Sequence, residues 1–371
     1  MDREFALKYK KILVRCTNWL GDAVMTTPFF SFLRKVFPDS GIEIIALPYI
    51  APVFENNPNI DAIKILKRRG GVSGFLSNLG ALVSRRGDKY DLGISLPNSF
   101  GAAVDLKKAG CREILGYDRD MRGVLLDHPV VFKKEMYNVH EIFYYLNILR
   151  AFLKESGDDI LGEICDGASK GAEPRYEIYL SPFERADAKK KLIDTGIDIR
   201  NDIVVGLNPG AFFGSAKRWF IERYAEVVGR LAKEYKDVKF IVFGSAKEEA
   251  FGREISSAAP ASAFNFCGRT SIRELISYIS MCRLFLTNDS GAMHIAAAFD
   301  IPVVAVFGST DNASTYPVCS DGVIIRSDID CAPCKKRECP LGHHKCMKLI
   351  SVDEVCEIMK NKIERIIKCQ K

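Results

Sequence analysis

Four stretches of this sequence place reactive or ligand-binding residue types at useful spacings. In Asn18-Trp19-Leu20-Gly21-Asp22 a carboxylate follows a short apolar run and a turn-permitting glycine. Asp22 at that position suits a general base that takes a proton from an incoming hydroxyl, and it equally suits a helix cap. In GLNPGAFFGSAKRWF (206–220), Gly210, Gly214 and their small neighbours let backbone N–H groups approach an anion, with Lys217 adding a point charge. The Walker spacing is absent, and an ordinary glycine-rich connection stays open. In TNDSGAMHIAAA (287–298), Asp289 or Ser290 caps a helix whose first turn holds Gly291. The amides and positive dipole end of such a helix suit a phosphate. Ser290 and His294 are four residues apart and share a face, so His294 is either a ligand contact or a buried core histidine. In VFGSAKEEAFG (242–252), Glu248 follows a strand, where a carboxylate can accept both ribose hydroxyls or complement a helix dipole.

These residues need elements to position them. KILVRC (11–16), IEIIAL (42–47), DAIKIL (61–66) and YDLGISL (90–96) read as strands, interleaved with amphipathic stretches at 26–37 and 72–86 and a longer one at 138–155. Residues 156–174 lose periodicity and gather Gly, Asp, Ser and Pro, as a linker does. Beyond them strands at 202–210, 238–245, 284–291 and 303–310 alternate with helical stretches at 219–235 and 270–279, and an amphipathic helix at 352–369 ends the pattern. Alternation of this kind predicts parallel sheets with helices on both faces. The expected organisation is α/β: two doubly wound, Rossmann-like domains, 1–165 and 175–371, facing a cleft, with the final helix packing back toward the first. Ligands then bind at the carboxyl ends of strands.

Composition narrows the class. With 371 residues, 47% hydrophobic and 27% charged, the chain has the make-up of two ordinary globular domains and not of a disordered protein. Its 53 basic and 47 acidic residues leave a net charge of +6, shared evenly by the two halves, which argues against a nucleic-acid binder. The charged N-terminus has no apolar signal region, and no uncharged apolar run reaches the length of a spanning helix. A cytoplasmic protein, at most peripheral at a membrane, is expected.

The runs RCTNWLGDAVMTTP, GLNPGAFFGSAKRW, VFGSAKEE and TNDSGAMHIAAAFDIPVVAVFGSTD together resemble glycosyltransferase family 9, the ADP-heptose:lipopolysaccharide heptosyltransferases, and within it the heptosyltransferase II branch. The resemblance covers nearly the whole chain. It implies a glycosyltransferase-B fold with the acceptor on the N-terminal domain, ADP-heptose on the C-terminal one, and an inverting transfer. On the family pattern Asp22 matches the catalytic base, Lys217 the residue that stabilises the leaving diphosphate, and Glu248 the ribose ligand. Gly210 falls in the donor loop, Asp289, Ser290, Gly291 and His294 match the donor-binding motif, and Thr270 matches a position beside the adenine. Lys217 and a helix N-terminus can offset the charge that builds on the diphosphate, so no divalent metal or other cofactor is expected.

The implied acceptor, the lipopolysaccharide inner core, is anionic. Lys64, Lys67, Arg68 and Arg69, with Arg119 and Arg122, are basic groups of the first half that suit it, or an anionic inner leaflet, or simply form solvated surface. Two DxD patterns, Asp118-Arg119-Asp120 and Asp328-Ile329-Asp330, follow no strand in the way a metal motif requires and read as loops. Cys331, Cys334, Cys339 and Cys346, followed or flanked by His343 and His344, have the spacing of a metal-ligand set, with reduced packing cysteines and disulfides as the other readings. Readings from other classes are a nucleotide-sugar 2-epimerase, which needs no acceptor, and a protein that binds without turnover. Another family 9 transferase, of heptosyltransferase I or III type, is the nearest alternative.

Overall fold

KILVR (Lys11–Arg15), LFLTN (Leu284–Asn288) and VVAVF (Val303–Phe307) each bury four or five consecutive residues. Strands buried on both faces fit only a sheet covered by helices on both sides. The computed structural model has two such sheets and describes residues 5, 7–66, 89–132, 139–155 and 174–370. The chain divides into two units, Met1–Tyr179 and Leu180–Lys371. Most of the stretch expected as a linker, 156–173, lies outside the described residues, as does the expected helix at 72–86.

The first unit contains β1 (Lys11–Arg15), α1 (Leu20–Met25), α2 (Thr27–Val36), β2 (Gly41–Ala46), β3 (Ala62–Ile65), β4 (Tyr90–Ser95), α3 (Phe100–Ala109), β5 (Cys111–Tyr117), β6 (His128–Val130) and α4 (Glu141–Glu155). Its strand order is β3-β2-β1-β4-β5-β6, all parallel. The helix expected over 26–37 is α2, with Pro28 in its first turn, where a missing N–H costs nothing, and the short α1 precedes it and ends at Thr26.

The second unit contains α5 (Pro182–Asp194), β7 (Ile203–Asn208), α6 (Ile221–Glu234), β8 (Val238–Val242), α7 (Glu249–Ser257), β9 (Ala263–Asn265), α8 (Ile272–Ile279), β10 (Leu284–Asn288), α9 (Gly291–Ala298), β11 (Val303–Phe307), β12 (Gly322–Arg326) and α10 (Val352–Gln370). The order is β12-β11-β10-β7-β8-β9, again all parallel. Helix α6 buries Tyr224, Val227, Val228 and Leu231, the stripe a 3.6-residue period places on one face. They join Val355, Cys356, Met359 and Ile363 of α10 in one apolar cluster, each full side-chain burial contributing roughly 1.5–3 kcal/mol. The apolar face of the final helix is therefore buried in the second unit's own core.

Both sheets have the same switch point. The first and fourth strands of each unit, β1 with β4 and β7 with β10, are neighbours. From them the chain winds outward in opposite directions, so the following connections pass to opposite faces and leave a crevice at the carboxyl ends.

Candidate active site

The switch point of the second unit gathers residues from three loops. Asn288, the last residue of β10, is fully buried. Its side-chain oxygen accepts from the Trp219 amide at 3.0 Å and the Tyr224 hydroxyl at 3.1 Å. Its side-chain nitrogen donates to the carbonyls of Pro209 at 2.7 Å and Gly210 at 3.3 Å. One amide thus clamps both ends of the loop that carries Lys217. The next residue, Asp289, accepts from the Lys217 ammonium at 2.6 Å and from the Thr310 hydroxyl at 2.7 Å. Side-chain exposures of 15% for Lys217 and 5% for Asp289 make this an ion pair largely withdrawn from water, where the geometry is held by partners on both sides. The Lys217 ammonium also lies 5.0 Å from the centre of the Phe213 ring.

Helix α9 begins directly after this pair. Ser290 is its cap, accepting from the Met293 amide, and its hydroxyl is 3.0 Å from that of Thr287. Between the two caps the sequence allowed, Ser290 takes the position and Asp289 is released to hold Lys217. Gly291 opens the helix, and His294 is buried on it.

Glu248 approaches from the end of β8. One of its oxygens accepts from the amide and hydroxyl of Ser245, at 2.7 and 2.8 Å. The other faces Gly210, where a Cβ would overlap the carboxylate. Gly268, at φ 72°, lets its turn close on Ala246 and donates its amide to the Gly244 carbonyl at 2.9 Å. That turn runs into Thr270, which precedes Ser271, the cap of α8. Gly210, Lys217, Glu248, Asp289, Ser290 and Gly291 therefore share one end of the sheet, with Thr270 on the neighbouring turn.

In the first unit, the loop leaving β1 is fixed by Arg15. This fully buried guanidinium donates to Asp105 at 3.0 Å, to the Asn18 side chain at 2.9 Å, and to the Cys16 carbonyl. The Tyr49 hydroxyl donates to the Asn18 carbonyl at 2.9 Å. Asp22 is the third residue of α1, and the cap position belongs to Trp19, whose side chain makes no capping bond. A carboxylate in a helix's first turn is stabilised by the dipole. Its charge reaches Tyr145 of α4, whose hydroxyl pKa is raised well above the usual value, by burial first and by Asp22 next. Asp22 thus stands at the switch point of its own sheet. The sequence motifs give no role of their own to Arg15, Asn18, Asn288 or Thr310. The one signal for Arg15 and Asn288 was a polar residue closing an otherwise apolar strand.

Among the described residues, the basic groups Lys64, Arg119 and Arg122 are held by different partners. Lys64 pairs with Glu43 at 2.6 Å and with the Tyr90 hydroxyl. Arg119 stacks on Phe132, its guanidinium 4.4 Å from the ring centre, and Lys67, Arg68 and Arg69 lie outside the described residues. Arg122 corrects the expectation of a surface cation, being fully buried. It donates to the Tyr117 carbonyl at 2.8 Å, the Ser95 hydroxyl at 2.9 Å and the Pro97 carbonyl. Burial lowers its pKa to about 10. This arginine pins loops at the ends of β4 and β5. Both DxD patterns lie in loops, although, contrary to expectation, Asp118 directly follows β5 and Asp328 lies just beyond β12. Among the described residues no cluster of three His, Cys, Asp or Glu side chains is arranged to hold a metal ion. Cys331, Cys334, Cys339 and Cys346 are free thiols.

Comparison with known proteins identifies the family. Residues 83–345 match the model of glycosyltransferase family 9 (heptosyltransferase). A lipooligosaccharide heptosyltransferase 2 of Haemophilus influenzae is 30% identical over 85% of this chain and 88% of its own. One from Campylobacter jejuni is 27% identical over 95% and 98%. The structure of E. coli ADP-heptose lps heptosyltransferase II superposes with a TM-score of 0.75 and 26% identity, covering 96% of this chain and 99% of that one. The two doubly wound units are those of the glycosyltransferase-B fold, and the chain belongs to glycosyltransferase family 9, the heptosyltransferases.

Proposed function

We propose that this enzyme moves heptose from ADP-heptose to a heptose hydroxyl of the lipopolysaccharide inner core, with inversion at the anomeric carbon. The observation that carries the reading is the assembly of Lys217, Asp289, the start of α9 and Glu248 at one switch point. The relatives reported above bear the name heptosyltransferase 2. Glu248 is the ribose ligand, with Thr270 beside the adenine. The diphosphate lies against Lys217 and the first-turn amides of α9, where the dipole supplies roughly half a positive charge. His294, one turn into the helix, completes the donor motif.

Asp22 takes the proton of the acceptor hydroxyl as its oxygen attacks the anomeric carbon. The bond from that carbon to the diphosphate oxygen breaks, and ADP leaves with the electron pair. Charge develops on the leaving oxygen, and preorganised donors are worth most there. Lys217 and α9 are among these donors, and the reading expects no divalent metal. Lys64 and Arg119, with Lys67, Arg68 and Arg69, are the basic groups offered to the anionic acceptor. No helix among the described residues is long and apolar enough to cross a membrane, so work at the inner leaflet is peripheral contact by a cytoplasmic protein.

The test is nucleotide release from ADP-, UDP- and GDP-linked sugars, with and without an inner-core acceptor ending in the first heptose. ADP release that requires both ADP-heptose and acceptor, and survives EDTA, is expected. Asp22→Asn should lower turnover by about 10²–10⁴-fold while leaving ADP affinity intact. Acceptor-independent conversion of a UDP-sugar would assign the protein to the epimerases instead.

A further inference from the structure

The loop bearing the four cysteines has no part in the reaction described so far, yet it is pinned against the donor site. The Lys335 amide donates to the Ser309 carbonyl at 2.7 Å, and its ammonium reaches Asp311 at 3.2 Å. Cys346 and Met347 are buried in the second unit's core. At the middle of the loop the Arg337 carbonyl accepts from the Ala216 amide at 3.0 Å, one residue before Lys217. Gly214 packs so closely on that carbonyl that a Cβ there would overlap it. The guanidinium of Arg337 lies 5.4 Å from the centre of the Phe213 ring, the same ring on which Lys217 sits at 5.0 Å.

Charge matching gives this arrangement a purpose. The helix end offers only roughly half a charge. A nucleoside diphosphate carries several negative charges, which Lys217 and α9 do not balance by themselves. We propose that Arg337 is a second diphosphate-binding cation of the donor site, and that loop 331–346 is a wall of that site built to present it. The guanidinium fork suits paired phosphate oxygens, and stacking on Phe213 holds its plane. This inference rests on the reading of Lys217 as a diphosphate ligand.

The experiment is calorimetric titration of the full chain with ADP, AMP and adenosine, for the wild type, Arg337→Gln and Arg337→Lys. The loop brace uses the backbone carbonyl, so Arg337→Gln keeps it. A charge-assisted contact predicts that Arg337→Gln weakens ADP on the order of tenfold, AMP by less and adenosine not at all. Arg337→Lys should recover part of the loss for ADP. Equal losses for all three ligands would mean a structural effect and would overturn the proposal, as would unchanged ADP affinity in Arg337→Gln. A wild type that binds adenosine derivatives without regard to phosphate number would overturn the diphosphate reading of Lys217 as well, which separates the two failures.

Discussion

The Lys217 ammonium is held 2.6 Å from the Asp289 carboxylate, and Thr310 donates to the same oxygen from the loop after the neighbouring parallel strand. A lysine on a loop has rotamer freedom that costs up to about 2 kcal/mol to fix. Asp289 fixes it in advance, so that the charge is aimed before the diphosphate arrives. Aim and charge separate in a substitution.

Asp289→Asn keeps the size and removes the counter-charge. Losing one partner of a largely buried pair should cost stability, about 3 kcal/mol, seen as a lower melting temperature. Turnover should fall on the order of 100-fold, because an unaimed donor no longer meets the developing charge. ADP inhibition should be as strong as in the wild type or stronger, since Lys217 then has no competing carboxylate. A Ki that rises in step with the fall in kcat would show that Asp289 touches the donor itself.

Arg15 has the corresponding position under the Asp22 loop. Its planar fork joins Asp105 to Asn18, a geometry that lysine cannot reproduce. Arg15→Lys should therefore lower kcat by at least tenfold, with ADP affinity in the other unit unchanged. Arg15→Met leaves Asp105 without its partner and should also destabilise the first unit by about 3 kcal/mol. Wild-type kcat in a folded Arg15→Lys enzyme would remove Arg15 from any positioning role.

Much of this fold is legible in the sequence because β1, β7, β10 and β11 are short apolar runs that leave no helical alternative. The stretch that forms α3, β5 and β6 has no such signal. GAAVDLKKAG is small and weakly amphipathic, and CREILGY carries Arg112 and Glu113 early in the strand. Their signal comes from pairing with β4, which no local pattern records. The same limit governs the site. Glu248, Lys217 and Asp289 can each be picked from a motif. The contact of Glu248 with Gly210 exists only because β7 and β8 run side by side. Nothing in the local sequence marks Asn288 as a clamp, and only its four buried hydrogen bonds reveal one.

The cysteines make a chemical prediction of their own. The backbone amide of His344 donates to the Cys339 sulfur at 3.4 Å, and this bond leads the interactions that lower its thiol pKa. Burial pushes Cys16, Cys111 and Cys267 the other way, to about 12. The thiolate is the reactive form, so iodoacetamide at neutral pH should label Cys339 well before those three, as read by peptide mass. Equal labelling would contradict the amide cradle. Protection of Cys339 that zinc chelation lifts would show instead that the loop carries a metal in solution.

Three glutamates set the response to acid. Hydrogen bonding from Arg273 holds Glu184 at a pKa of about 2, with the Ser181 cap adding to it. Lys191 and the Ser271 cap do the same for Glu274. Burial alone would raise Glu113, yet His128, Tyr9 and Lys8 outweigh it and bring it to about 2. An unfolded glutamate titrates near ~4.3, so as the pH falls the unfolded chain takes up these protons first. The stabilisation is complete above about pH 5 and is lost between there and about pH 2. Melting temperature should therefore be flat on this account from pH 7 to 5 and fall steeply below it. Glu184→Gln cannot take up that proton in either state, so its curve should lie lower at pH 7 and descend less steeply below pH 5. A variant curve parallel to the wild type would show that the Glu184–Arg273 pair has no share in acid unfolding.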